Sequence, residues 1–182
     1  MPDRLDPVAG TLTAALARGV FPGATAEIGS ASGVIWNGVF GALTFDDTAA
    51  PCEPTTIFDL ASLTKPIATT TAALTLAADG RLPLDAQVGR YVPDWRGTDR
   101  ARVTMAHLLE HTSGLSARLP GAPPPDAREF EHDICALPLE YEPGTRALYS
   151  DLGFILLGWC IARAGDEPLR ARCARLLSEV LE

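Results

Sequence analysis

Lysine is almost absent from this chain: of its 15 basic side chains 14 are arginine, and Lys65 is the single amine. Basic stripes are missing too. The formal net charge is -8, and a surface that grips a phosphate backbone or an anionic membrane needs clustered cations. Neither a nucleic-acid partner nor a membrane partner is therefore expected. Long apolar runs are lacking as well: the longest, "FILLGWCIA" at 154–162, is well short of the roughly 20 residues a membrane span requires. The opening "MPDRLDPVAG" has no apolar core of a secretory signal, so a cytoplasmic location is expected. The 4 cysteines form no C-x-x-C pair and no zinc spacing, which leaves reduced, buried thiols as their reading. No G-x-G-x-x-G loop offers a phosphate cradle, and Gly114 and Gly144 read as turn glycines.

What is present is ordinary globular material, 47% hydrophobic and 21% charged, in 182 residues without a repeat or a composition break, so one domain is expected. Apolar spacing predicts an amphipathic helix over 4–18. "ATAEIGS" and "GVIWNGVFG" predict a β-hairpin, followed by a loop marked by Pro51 and Pro54. A helix is predicted from Ser62 to about Asp79, with Gly80 just past its end where a left-handed residue is favoured. Shorter helices follow over 104–111 and 127–137, with a Pro-rich loop between them, then helices over 151–164 and 169–181. A little sheet followed by helices is an α+β order. Trp36, Trp95 and Trp159 are expected in the core, and His132 on a solvated helix face.

The lone amine lies in "FDLASLTKPIATTTAALTLAADG", three residues after Ser62. On a helix that spacing puts both side chains on one face. A serine hydroxyl is a weak nucleophile unless a base takes its proton, and lysine can do so when burial or neighbouring positive charge lowers its pKa. A helix N-terminus acts in that direction. Arginine could not serve, because its guanidinium does not deprotonate. A plainer reading stays open on this motif alone: Ser62 as an N-cap and Lys65 as a solvated first-turn residue. First turns favour Asp or Glu over Lys, which counts against it. Pro66 is acceptable in a first turn.

Three ordered motifs, "ASLTKP", "TMAHLLEHTSGL" and "EPGTRALYSDLGFILLG", together resemble the serine β-lactamase and penicillin-binding-protein superfamily, and within it the class C β-lactamase and esterase branch. The resemblance covers nearly the whole chain. It implies a β-lactamase/transpeptidase-like fold, acylation of Ser62, proton transfer by Lys65 and Tyr149, and a small ester or amide substrate without a cofactor. Tyr149 makes chemical sense there, since a phenol of pKa about 10 becomes a usable base only beside a cation.

Two departures bear on substrate and completeness. Asp151 stands where the family often has Asn, and a carboxylate cannot donate the amide hydrogen bond that Asn offers a substrate carbonyl. Asp151 is thus expected at the substrate side of the site, favouring small esters over β-lactams, and, if ionised, favouring a charged Lys65. The family's third motif, on a strand of the C-terminal sheet, has no counterpart: after Tyr149 the sequence is helical and holds no second lysine. The resemblance therefore implies a partial domain with the sheet strands missing, an oxyanion hole reduced to the Ser62 N–H, and an unpaired sheet edge offering a surface for self-association. The alternative function is a catalytically silent fragment or binding module. A third reading comes from "HLLEH", which matches the H-x-x-E-H zinc pattern. With no specified third ligand, His107 and His111 are read as structural and no metal is expected.

Overall fold

The computed structural model describes residues 6–122 and 124–181. The expected start of the first helix, at residue 4, lies outside them. Two compact units divide the chain, Met1–Asp59 and Leu60–Glu182.

In the first unit α1 (Asp6–Ala17) precedes a hairpin of β1 (Gly23–Ser30) and β2 (Gly33–Gly41). The strands pair antiparallel from Gly23↔Gly41 to Ser30↔Gly33, with an irregularity between Ile28 and Gly29. Period-two alternation is visible: Ala24, Ala26 and Ile28 are half-buried while Thr25 and Glu27 are exposed. Trp36 corrects the expectation of a core position. It lies half-buried on one face of the sheet, its ring 6.4 Å from that of Phe40. The sheet has 2 strands among the described residues, too few to enclose an indole.

The second unit opens differently from the continuous helix expected between Ser62 and Asp79. A 3-10 turn, Ala61–Leu63, leads into a π-helical coil, Lys65–Thr70, and only then into α2 (Thr71–Ala78). Pro66 supplies the reason. In an α-helix its ring would press on the carbonyl four residues back, and it has no N–H to give. The wider coil makes room, and the Thr71 hydroxyl donates to the Pro66 carbonyl at 3.3 Å. The end of α2 is as expected: Gly80 has φ +71, its N–H donates to Ala77 O at 3.0 Å, and Arg81 N–H donates to Leu76 O at 2.9 Å.

Around α5 (Asp151–Gly165) pack α2, α3 (Met105–Leu109), α4 (Ala127–Ala136) and α6 (Leu169–Leu181). α5 is apolar around most of its girth, burying Leu152, Leu156, Leu157, Cys160 and Ile161, and so runs through the core. Leu76, Met105, Leu108 and Ile134 are also fully buried. Each such side chain contributes roughly 1.5–3 kcal/mol. Trp95 is buried, its indole N–H donating to Arg100 O at 3.1 Å. Trp159 sits at the core margin, edge-on to Phe130. His132 is exposed. The cysteines are free thiols. Burial pushes Cys135 up to about 11 and Cys160 up to about 12.

Gly114 and Gly144 are turn glycines, with φ +89 and +83. At Gly114 a Cβ would stand 2.5 Å from the Tyr141 carbonyl oxygen, while the Gly114 carbonyl accepts the Glu140 N–H at 2.8 Å. Gly114→Ala must break this docking or strain the backbone. We expect a loss of about 3 kcal/mol, read as a lowered urea midpoint at unchanged m-value.

Candidate active site

Ser62 is carried by the 3-10 turn and Lys65 by the first residue of the π-helical coil. Ala61, just before the serine, has φ +44, a left-handed conformation that costs a non-glycine residue about 1–2 kcal/mol. Such strain is held where surrounding structure over-determines it. Ser62 is not an N-cap: the capping position is Leu60, with no side-chain cap bond.

Tyr149 and Asp151 come from the other end of the unit. Ser150, buried between them, is the N-cap of α5 and accepts the Gly153 N–H at 3.0 Å. The same hydroxyl donates to Ser116 O at 2.7 Å. Asp151 N–H donates to Ala117 O at 3.0 Å, and Leu148 N–H to His111 O at 2.9 Å. Asp151 is the first residue of α5, where the helix dipole favours a carboxylate.

These two supports converge. Lys65 Nζ lies 2.6 Å from Asp151 Oδ1 and 3.4 Å from Ser62 Oγ, and 4.8 Å from the centre of the Tyr149 ring. The second Asp151 oxygen is 3.7 Å from the exposed Arg118 Nε. Lys65 keeps 16% of its side chain exposed, Asp151 35%, and Tyr149 is 49% exposed. Ser62, Lys65, Tyr149 and Asp151 are thus brought together.

The charge on the amine differs from the expectation of a neutral base. Burial pulls Lys65 down, but hydrogen bonds to Asp151 and Tyr149, with the Asp151 charge, outweigh it and leave the ammonium above its ordinary 10.5. Tyr149 moves the other way. Hydrogen bonds from Lys65 and then Ser62 hold its phenol below the usual 10.0. An ammonium beside a phenol of lowered pKa is an arrangement in which the phenolate, not the amine, can accept the serine proton.

Two hollows flank the Ser62–Lys65 pair. One, of about 650 Å³, adds Asp151, Phe154, Trp159 and Leu169 to the pair. The other, of about 520 Å³, adds His111, Tyr149, Leu109 and Phe154. Phe154, His111, Trp159, Leu109 and Leu169 are residues the sequence reading did not place here. The π-facing geometry of Phe154, 5.7 Å from Lys65 Nζ, could have been suspected from its position one turn after Asp151. The "HLLEH" pattern marked His111 only as a zinc-pattern residue read as structural, and gave no sign of its place beside Tyr149.

The histidines of "HLLEH" are parted. α3 ends at Leu109, so the pair does not continue on one helical face. His107 Nδ1 accepts the Thr104 N–H at 3.2 Å as half of a capping box, and His111 Nδ1 accepts the Ser150 N–H at 3.0 Å. Among the described residues no group of three or more His, Cys, Asp or Glu side chains could hold a metal ion.

The Beta-lactamase family model matches residues 8–181. Esterase EstB of Burkholderia gladioli is 36% identical over an alignment of 155 residues that covers 74% of this chain and 39% of that protein. An N-acetylmuramyl-L-alanine amidase of Bacillus subtilis is 33% identical over an alignment of 136 residues that covers 66% of this chain and 30% of the relative. Among solved structures, a Beta-Lactamase/D-Alanine Carboxypeptidase from Pseudomonas syringae superposes with a TM-score of 0.78 at 27% identity, over 96% of this chain and 49% of that one. The chain therefore spans well under half the length of these curated relatives and about half of the solved structure.

Because Lys65 is the sole lysine, protein labelled on lysine with 13C at the carbon next to the amine gives one side-chain NMR signal. A raised pKa means that the ion pair stabilises the fold fully below 10.5 and that this contribution fades as pH rises through the raised value. We expect that signal to titrate above 10.5 in the native chain and lower in Asp151→Asn. An unchanged midpoint in Asp151→Asn would mean that Asp151 does not set the charge on Lys65.

Proposed function

Because the chain belongs to the beta-lactamase family, we propose that it is a serine hydrolase in which Ser62 is acylated by a small ester or amide, with Tyr149 and Lys65 as its proton-transfer partners. The observation that carries the reading is the Ser62–Lys65–Tyr149 cluster, with a paired ammonium next to a phenol of lowered pKa. Ser62 Oγ attacks the carbonyl carbon while its proton passes to the Tyr149 phenolate. The tetrahedral intermediate collapses, the bond to the leaving group breaks, and that group takes the proton from Tyr149. Water then attacks the acyl carbonyl, gives a proton to Tyr149, and Ser62 leaves with it. Lys65 remains cationic throughout and stabilises the phenolate.

Asp151 argues for esters over β-lactams. A carboxylate occupied by Lys65 at 2.6 Å offers the substrate carbonyl no donor. The apolar walls of the larger hollow, Phe154, Trp159 and Leu169, suit an uncharged acyl or alkoxy group.

A fluorophosphonate probe tests the acylation directly. Labelling is expected in the native chain and absent from Ser62→Ala. A folded chain that never labels would instead be a silent module of the same fold. The rate should climb with pH through the Tyr149 value below 10.0 and decline through the Lys65 value above 10.5. If Lys65 acts as a cation, Lys65→Arg should retain at least about tenfold more labelling than Lys65→Ala, because arginine keeps the charge. Equal loss in both would return the role of base to the amine.

A further inference from the structure

We propose that His111 is the positioning residue of Tyr149, holding the N–H groups of the residues on either side of it, Leu148 and Ser150, and that protonation of the His111 ring releases this hold. The inference rests on the hydrolase reading above, and its test separates the two. The backbone carbonyl of His111 accepts the Leu148 N–H at 2.9 Å, and its Nδ1 accepts the Ser150 N–H at 3.0 Å. One residue thus fixes the backbone on each side of Tyr149. Its ring also faces the Tyr149 ring, with centres 4.6 Å apart at 34°, and the Phe154 ring at 4.9 Å and 33°.

This double grip depends on an unusual backbone. His111 follows α3 with φ +57, a left-handed conformation in which histidine, asparagine and aspartate are enriched among non-glycine residues. The turn lets main chain and side chain reach the 148–150 segment together. The Tyr141 hydroxyl donates to the same carbonyl at 3.3 Å and completes its lone pairs.

The hydrogen bond also fixes the protonation state. A donor aimed at Nδ1 is accepted only by the neutral ring with its proton on Nε2, since an imidazolium would oppose N–H to N–H. The charged and titratable groups around the ring are Lys65 from the π-helical coil, Tyr149 and Asp151 from the 149–151 segment, and Tyr141 at the carbonyl. Burial first, then the Lys65 ammonium, keep His111 below its ordinary 6.5, against the pull of Asp151. A lowered value means that the grip is intact above about pH 6.5 and fails as pH falls through the lowered pKa. The failure would let Tyr149 drift from Lys65 and Ser62 under mildly acidic conditions.

Asparagine separates this role from bulk packing. In His111→Asn the Oδ1 atom occupies the branch position of Nδ1, accepts the same N–H, tolerates left-handed backbone and does not titrate. His111→Ala removes the acceptor. The 3 tyrosines allow 13Cζ-tyrosine NMR with the Tyr149 signal assigned by Tyr149→Phe, alongside probe labelling of Ser62 across pH. His111→Ala is expected to shift the Tyr149 midpoint toward 10.0 and to slow the maximal labelling rate about tenfold to a hundredfold, with a smaller change in half-saturation. His111→Asn should recover most of that rate and lack the extra, steeper fall that protonation of His111 adds, in the native chain, to the decline set by Tyr149. An unmoved Tyr149 signal in His111→Ala, or a His111→Asn variant as slow as His111→Ala, would overturn the inference. Should His111→Ala fail to fold, the Ser150 amide of the native chain decides: it must shift with the His111 ring through one midpoint, and an amide that does not would refute the grip. A native chain that never labels would defeat the hydrolase reading, while the tyrosine and amide signals would still decide the role of His111.

Discussion

The contact between Lys65 and Asp151 ties together two parts of the second unit that lie 86 residues apart in sequence. It has one end on the coil that bears Ser62 and the other on the first residue of the helix that threads the core. A carboxylate at that distance overrides the burial of the amine, so the site is organised around a fixed positive charge. The lowered Tyr149 phenol follows from that charge, and so does the division of labour proposed for the pair. Arginine everywhere else in the chain leaves this as the one place where a compact ammonium, able to approach oxygen, phenol and ring faces at once, is used.

Placement of the site owes little to regular secondary structure. Ser62 follows a left-handed alanine, and Tyr149 lies in an irregular segment fixed by bonds to residues 111, 116 and 117. Ser150 has a buried hydroxyl that both caps α5 and donates to Ser116 O, so the helix start and the neighbouring loop are locked by one side chain. Functional groups held on loops by a rigid core are common, because the core supplies stability that the loop geometry consumes.

Much of the site was legible in the sequence, for reasons that hold only in part. The Ser62–Lys65 spacing pointed to adjacent side chains, and they are adjacent, yet the helix used to argue it is a 3-10 turn joined to a π-helical coil. Pro66 was visible as a helix feature, but propensity alone does not say whether it starts a helix or widens one. The charge on Lys65 could not be read from spacing, since it is set by a partner far along the chain. His111 was hidden for the same reason: its grip needs a left-handed turn and two long-range bonds, and neither leaves a periodic trace. Trp36 was misplaced because alternation identifies a sheet face without saying what covers it. The helical core was the easiest part, α5 above all, because a run that is apolar around its girth has to be enclosed.

The π-helical coil at Lys65–Thr70 also works as a phase shifter. Downstream, Ala72, Ala73 and Leu76 must face the core, which fixes the rotation of α2 about its axis. Upstream, Ser62 and Lys65 must aim at Tyr149 and Asp151. An α-helical turn takes up about one residue fewer than a π-helical one, so winding these same residues as an α-helix would swing everything before them by about 100°. The hydroxyl and amine would then travel together to another side of the helix, still neighbours but aimed away from their partners. The winding of this single turn is thus as much a determinant of the site as the identity of any side chain in it.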